Sequence, residues 1–359
     1  MSLRPPTILV TGSGGAPSTN FIRSLKASKQ PFRIIGTDSD PYYLFRSEAD
    51  KTLYVPKASE RAFIPAINAI TKKYQVDLLH IQNDFELGVV SQHREKFVAP
   101  LYLPSKKTVT ICQNKLSSYI LWEKAGLTVP KTMKIGNAED LQHAFDQLGK
   151  KLWIRSAEGA AGKWSLPVST FAIAKAWIDA HDGWGDFVAA EQLTKDSITW
   201  MSLWNKGTLL VAQSRKRLYW EMGKVSPSGV TGVTGGGETV RDSVLDDIAV
   251  KAIHAIDSSP HGLYGVDLTF DSKGIPNPTE INIGRFFTTH HFFTEAGLNM
   301  PLLYVMTALG KPVVFPKRTI NPLPAGLIWI RGMDFLPILT TRKKVDAITA
   351  SVKKHIPQI

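Results

Sequence analysis

Four short apolar runs stand out near the start of the chain, separated by stretches with helical spacing. Ile8–Thr11, Arg33–Thr37, Lys51–Val55 and Leu78–Ile81 read as strands, and Asn20–Ser28, Arg61–Tyr74 and Glu86–Lys96 as helices. Strand and helix in alternation predict a parallel sheet with right-handed crossovers, whose ligands sit at the carboxyl ends of the strands. That rim carries Gly12–Gly15, Asp38 and the cluster Asn83-Asp84-Phe85-Glu86. Pro100 and Pro104 close this first block, residues 1–104.

The pattern then changes. "CQNKLSSYILWEKAG" reads as a helix closed by Gly126, and "NAEDLQHAFDQLG" as a second one, with Asn137 as N-cap and Leu141, Phe145 and Leu148 on one stripe. "KLWIRSAEGAAGKWSLPV" reads as strand, small-residue loop and strand, with a helix around Phe171–Ala180. Residues 105–185 are therefore expected to form a small α+β domain. Residues 186–315 follow with long β segments, a helix at Leu245–Ile256 and a hairpin, and 316–359 hold one apolar strand and a basic helix. "SPSGVTGVTGGGETV" reads as a flexible loop, Ser226–Gly237, over a site.

The hairpin "GVDLTFDSKGIPNPTEINI" carries the sharpest chemistry. Val266, Leu268 and Phe270 alternate with Asp267 and Thr269, and Ile281 and Ile283 alternate with Glu280 and Asn282. A four-residue turn at Asp271–Gly274 would oppose Asp267 to Pro278 and put Asp267, Glu280 and Asn282 on one face. A three- or five-residue turn would split that face. Two carboxylates and an amide oxygen are hard ligands of the kind Mg²⁺ takes together with phosphates and water. Gly159-Ala160-Ala161-Gly162-Lys163, between two strands, lets backbone N–H groups approach phosphate oxygens, and Arg155 and Lys115 add cations nearby.

Composition narrows the classes. The 359 residues suit two or three domains, and no apolar run approaches the ~20 residues of a membrane helix. The opening Met-Ser-Leu-Arg-Pro-Pro does not read as a signal peptide, and one cysteine, Cys112, permits no internal disulfide. A cytoplasmic protein is expected, with Cys112 as a buried small hydrophobe. The net charge of +12 suits a phosphorylated or otherwise anionic ligand. The basic residues are dispersed in short clusters, so nucleic acid is the weaker reading.

The opening "ILVTGSGGAPSTNFIRSL" resembles a dinucleotide-binding turn, with Asp38 placed for a ribose hydroxyl, but Pro17 stands where the third glycine belongs. An NAD(P)-dependent oxidoreductase is thus a rival reading, and it leaves the Asp267/Glu280/Asn282 face unexplained.

Strand with Arg155, glycine loop, "AAEQL", then Asp267 and Glu280-x-Asn282 resembles, in that order, the ATP-grasp superfamily, and most closely its carbamoyl-phosphate-synthase-like branch. The resemblance spans most of residues 1–315. It implies an α/β and α+β architecture, in which a Rossmann-like pre-ATP-grasp domain that binds no NAD precedes a two-lobed ATP-grasp fold. Residues 105–185 would be the small lid subdomain, 186–315 the large subdomain with the metal site, and 316–359 would pack back on the core. Lys115 and Arg155 would contact ATP phosphates under a flap containing Gly159, Gly162 and Lys163. Glu191, Gln192 and Leu193 would line the adenine cleft, and Asp196 would reach the ribose. Asp267, Glu280 and Asn282 would hold Mg²⁺, with Mn²⁺ as a substitute, and Arg285 would contact the transferred phosphoryl group or the acyl phosphate. Arg155 stands where many members have lysine, and Arg285 comes one residue later than in the family's Glu-x-Asn-Pro-Arg pattern.

The activity implied is an ADP-forming carboxylate–amine ligase working through an acyl phosphate on small-molecule substrates. A carbamoyl-phosphate-like enzyme or a small-molecule kinase would use the same parts. A catalytically silent nucleotide-binding module is a further rival. Asp84, Arg215, Arg217, Lys224, Arg331 and the pair His290-His291 are candidates for substrate contact. His290-His291 does not suit a metal, because neighbours on a strand point to opposite faces. A homodimer stays open, and no membrane partner is expected.

Overall fold

Three sheets follow one another along the chain in the computed structural model, which describes residues 4–157, 164–332 and 340–350. The first contains β1 (Thr7–Val10), β2 (Arg33–Asp38), β3 (Lys51–Tyr54) and β4 (Leu78–His80), all parallel, in the order β3-β2-β1-β4. Every residue of β1 is buried, as a strand covered on both faces requires. Strand order reverses between β1 and β4, so a crevice opens there at the strands' carboxyl ends. Asn83 starts the helix Asp84–Gln92 on that rim, its side chain accepting from Phe85 N and Glu86 N. Pro17 lies in the first turn of the helix Ala16–Lys26, where its missing N–H costs no helical hydrogen bond.

The second sheet is antiparallel, in the order β5-β8-β6-β7: β5 (Thr132–Ile135), β6 (Leu152–Ser156), β7 (Leu166–Val168) and β8 (Phe187–Glu191). The helices Ala138–Leu148 and Phe171–Asp179 complete it. Its core is its own, formed by residues such as Ile135, Leu141, Ile154, Ile178 and Phe187. The single helix expected in this unit around residues 112–126 is two, Lys106–Gln113 and Lys115–Lys124, and both pack elsewhere. Cys112, Tyr119 and Trp122 join the core of Tyr264 and Ile281, and Trp122 Nε1 donates to the Ala252 carbonyl at 2.9 Å. Burial pushes the Cys112 thiol well up from its ordinary range, so it stays a protonated, inert side chain.

The third sheet is antiparallel and has six strands: β9 (Ser197–Asn205), β10 (Thr208–Trp220), β11 (Thr234–Val240), β12 (Gly262–Phe270), β13 (Pro276–Ile283) and β14 (Ile328–Ile330). Their order is β13-β12-β9-β10-β11-β14. Apolar residues of the first sheet, Leu9, Ile35 and Leu79, share a core with Trp200, Tyr264 and Ile281 of the third. A second shared core joins Ile8 and Phe21 to Met201, Phe286 and Tyr304. The first and third sheets therefore make one body, against which the second sheet, with its separate core, is set. Trp200 Nε1 and Asn321 Nδ2 both donate to the buried Asp246, which ties the late chain to β9 and to the helix Ser243–Ile256.

The glycine-rich stretch expected as a loop is strand from Thr234 onward. A Cβ at Gly237 would lie 2.5 Å from Arg215 Cδ, so the bare backbone leaves room for that side chain to cross the sheet. Ladder pairing with β10 on one side and β14 on the other holds the strand that its composition disguised. No helix among the described residues is long and apolar enough to cross a membrane.

Candidate active site

The hairpin β12–β13 brings its acids together by a route the sequence does not reveal. The turn has five residues, 271–275, so Phe270 opposes Pro276 and Leu268 opposes Pro278. This shift alone would split the polar face. A β-bulge at Thr279 shifts the register again, and Asp267 opposes Glu280 rather than Pro278. Two one-residue shifts restore parity, so Asp267, Glu280 and Asn282 share a face while Ile281 and Ile283 are buried behind it. Asn282 Nδ2 donates to Asp267 Oδ2 at 3.1 Å, which turns the amide oxygen the other way. Thr199 of β9 donates to Asp267 Oδ1 at 2.5 Å.

The bulge also frees a carbonyl. Tyr119 OH donates to the Thr279 carbonyl at 3.2 Å and accepts from Arg155 Nη2 at 2.6 Å. Arg155 on β6 of the second sheet is thereby linked to the acidic hairpin of the third. Lys115 begins the helix that carries Tyr119, one turn away, and is almost fully buried. Its Nζ lies 3.9 Å from Glu280 Oε1. Burial lowers the Lys115 ammonium below its ordinary range, and Glu280 opposes that shift.

Arg215 and Arg217 lie beside Asp267, and Arg331 adjoins them at Thr234. Arg215, 1% exposed, donates to the hydroxyls of Thr199 and Thr234, and Arg217 to those of Thr234 and Ser197. Arg331 Nη1 donates to the Thr234 carbonyl at 3.3 Å. Arg217 lies 3.8 Å from Asp267 Oδ1 and stacks on Trp220. Burial, and next the Arg217 charge, lower Arg215 to about 9. Among the described residues its Nε has no hydrogen-bond partner. Burying several cations around one carboxylate is costly unless an anion joins them.

Arg285, in the loop after β13, pairs with Asp84 of the first domain at 3.3 Å. The rim of the first sheet thus borders the same site. Its glycine turn is closed, however. A Cβ at Gly14 would lie 1.9 Å from the Tyr43 carbonyl oxygen, so the glycine admits the backbone of the helix Pro41–Arg46, which covers it. Asp38 is engaged locally, accepting from Gly14 N and Asp40 N. A dinucleotide pyrophosphate would need that same space. Glu86, buried beside Asp38, has a carboxyl pushed up to about 7, chiefly by burial. Its folded pKa lies above the unfolded value, so its contribution to stability is present below pH 4.5 and lost as pH rises through about 7. Glu86→Gln is expected to remove that loss: the gap between its Tm and that of the wild type should widen in the variant's favour from pH 5 to pH 8. A constant gap would place the carboxylate in contact with solvent.

The remaining candidates are dispersed. Glu191 ends β8 and accepts from Lys131 N at 3.0 Å, Leu193 is half-buried, and Gln192 and Asp196 are exposed. Asp196 pairs with Lys216 at 3.5 Å. Lys224 is exposed on the turn Gly223–Val225. Gly159, Gly162 and Lys163 lie outside the described residues. Ser24, His291 and Glu295 line up as a hydroxyl–imidazole–carboxylate series, at 2.9 and 3.2 Å. Ser24 is fully buried and also accepts from Thr294, so no substrate reaches it. Tyr119, Thr199 and Thr234 escaped sequence reasoning. Only Tyr119 offered a signal, being four residues from Lys115 on one helix face.

No curated protein sequence matches the chain significantly. Residues 8–100 match the family described as PylC-like, N-terminal domain. Solved structures superpose over most of the length. Carboxyaminoimidazole ribonucleotide synthase from Aspergillus clavatus, complexed with ATP, is 15% identical, with a TM-score of 0.67 over 88% of this chain and 80% of that one. The biotin carboxylase domain of the Hydrogenobacter thermophilus 2-oxoglutarate carboxylase, with MgADP and bicarbonate, is 14% identical, with a TM-score of 0.67 over 91% and 74%. L-amino acid ligase from Bacillus licheniformis is 13% identical, with a TM-score of 0.64 over 86% and 75%. The chain has the ATP-grasp fold. The family match covers the first, parallel sheet almost entirely, and the acidic hairpin lies in the six-stranded sheet further along the chain.

Proposed function

We propose that the protein is an ATP-dependent, ADP-forming ligase joining a small carboxylic acid to an amine. The observation that carries this reading is the face of Asp267, Glu280 and Asn282, with Lys115, Arg155, Arg215, Arg217 and Arg285 around it and Arg331 one step further out at Thr234. Two adjacent carboxylates and an amide oxygen fit Mg²⁺, which keeps water and phosphate oxygens as its other ligands. Magnesium held by Asp267, Glu280 and Asn282 would supply Lewis-acid neutralisation of phosphate charge. The cations outnumber the carboxylates of the site, as a bound polyphosphate and an acidic substrate require.

Each residue then has work to do. Lys115 and Arg155 hold phosphate oxygens, with Arg155 kept in line by Tyr119. Glu191, Gln192 and Leu193 border the base, and Asp196 the ribose. Arg215, Arg217 and Arg331 hold the acid. Arg285 contacts the phosphoryl group in transfer. A carboxylate oxygen bonds to the γ-phosphorus while the β–γ bridging P–O bond breaks and ADP leaves. The amine nitrogen next bonds to the acyl carbon, phosphate departs with the C–O electron pair, and the amine proton passes to solvent. Positioning and charge stabilisation suffice for such a transfer without a protein nucleophile.

MgATP and MgADP are each expected to raise the Tm by mass action, and NADH to leave it unchanged. Saturation by NADH with no adenosine-phosphate effect would sink the ligase reading. Incubation with MgATP and pooled acids and amines, followed by mass spectrometry, should then show ADP together with a new condensed product.

A further inference from the structure

The loop after β13 that carries Arg285 is gripped by the first domain at a second point, one residue beyond the Asp84 ion pair. Gln82 Nε2 donates to the Phe286 carbonyl at 2.7 Å, and Gln82 Oε1 accepts from Phe286 N at 3.3 Å. A carbonyl only accepts and an N–H only donates, so the orientation of the Gln82 amide is fixed. His80 Nε2 lies 2.9 Å from the same Oε1, so Nε2 carries the imidazole proton and Nδ1 accepts from Tyr304 OH at 3.2 Å. Burial holds His80 down at about 4, so the ring stays neutral and keeps this tautomer.

Gln82, His80 and Phe286 are all buried, and Gly284 on the other side of Arg285 lies against Leu87 of the first domain. The backbone after Arg285 is therefore held by the first domain, the backbone before it is held by β12 through Gly284 N and the Leu263 carbonyl at 2.8 Å, and Asp84 engages the guanidinium. We infer that Gln82 is a positioning residue for Arg285: its two-point clamp on Phe286 sets where the guanidinium meets the terminal phosphoryl group. The inference rests on the reading of Arg285 given above, and it makes the pre-ATP-grasp domain part of the phosphoryl-transfer apparatus.

Calorimetric titration of the full chain with MgAMP-PNP and with MgADP gives a ratio of Kd values that reports contact with the third phosphate. Arg285→Ala should reduce the preference for the triphosphate. Gln82→Met should reduce it in the same sense by about fivefold, the worth of one or two hydrogen bonds. The double variant should lose no more than Arg285→Ala alone, because Gln82 acts only through Arg285. A residue that merely supported the fold would weaken both nucleotides alike and leave the ratio unchanged.

An unchanged ratio in Arg285→Ala removes the assigned role of Arg285, and the clamp's purpose with it. A reduced ratio in Arg285→Ala beside a wild-type ratio in folded Gln82→Met overturns the inference alone, as does an additive double variant. Should Gln82→Met not fold, Gln82→Glu decides. It matches the shape of glutamine and keeps an acceptor for Phe286 N, but when ionised it cannot donate to the Phe286 carbonyl. Measured at a pH above the titration of that buried carboxyl, a wild-type ratio overturns the inference equally.

Discussion

Glu280→Gln protein is expected to fold as the wild type does and to form ADP at least a hundredfold more slowly. Glu280 projects from the polar face of β13, half-buried, with Lys115 Nζ 3.9 Å away. The substitution keeps the shape of the side chain and removes one charge. Phosphoryl transfer leans on electrostatic stabilisation more than on any other effect, and deleting one well-placed group costs roughly 10²–10³ in rate. Removing Glu280 also leaves the buried Lys115 ammonium without the carboxylate that opposes its desolvation. The variant's affinity for MgATP should fall at the same time, measured by titration beside the rate of ADP release. Asp267→Asn should lose activity in the same sense and by less, since Thr199 and Asn282 already engage both oxygens of that carboxylate. Folded Glu280→Gln protein with full turnover would refute the metal face outright.

Ile281→Asn should do the opposite: unfold the protein while touching no ligand. Ile281 is 2% exposed and packs in the core shared by the first and third sheets, with Trp200, Tyr264 and Leu268 among its members. Truncating a buried isoleucine and stranding an amide in an apolar core together cost about 3 kcal/mol or more. Denaturant unfolding should show a lower midpoint, and whatever fraction stays folded should still bind MgATP. A benign Ile281→Asn beside an unfolded Glu280→Gln would mean that the two faces are exchanged. The neighbouring positions make a severe test, because alternation along a strand assigns them opposite fates.

Alternation is also where sequence and structure part company. That Glu280 and Asn282 share one face and Ile281 and Ile283 the other was legible from the chain, since a strand's two-residue period leaves no freedom. That Asp267 joins the first face was not secured by the same reasoning. Its side depends on the length of the turn and on any irregularity in the ladder. The structure has a five-residue turn and a bulge at Thr279, each shifting register by one, and only their combination restores the face. The bulge has a use beyond parity, because it frees the Thr279 carbonyl for Tyr119 and, through it, Arg155.

The parallel sheet of the first domain was legible as well, because short, largely apolar runs alternate there with stretches of helical spacing, signals that are local. β11 was not. Its glycines read as a loop, yet strand pairing is decided by the neighbours β10 and β14 and by the space Arg215 needs to cross. The sequence by itself determined the strand-and-helix alternation of the first domain, the two faces of β13 and an excess of cations in want of an anion. The tertiary structure alone decided which cations meet which acids, that Arg285 is gripped by Asp84 and Gln82 from some two hundred residues earlier, and that the glycine turn at Gly14 is filled by the chain's own helix. The reason is one of range. Periodicity, capping and charge balance act between near neighbours, whereas register, burial of an ion pair and closure of a crevice depend on contacts that form only when distant segments pack.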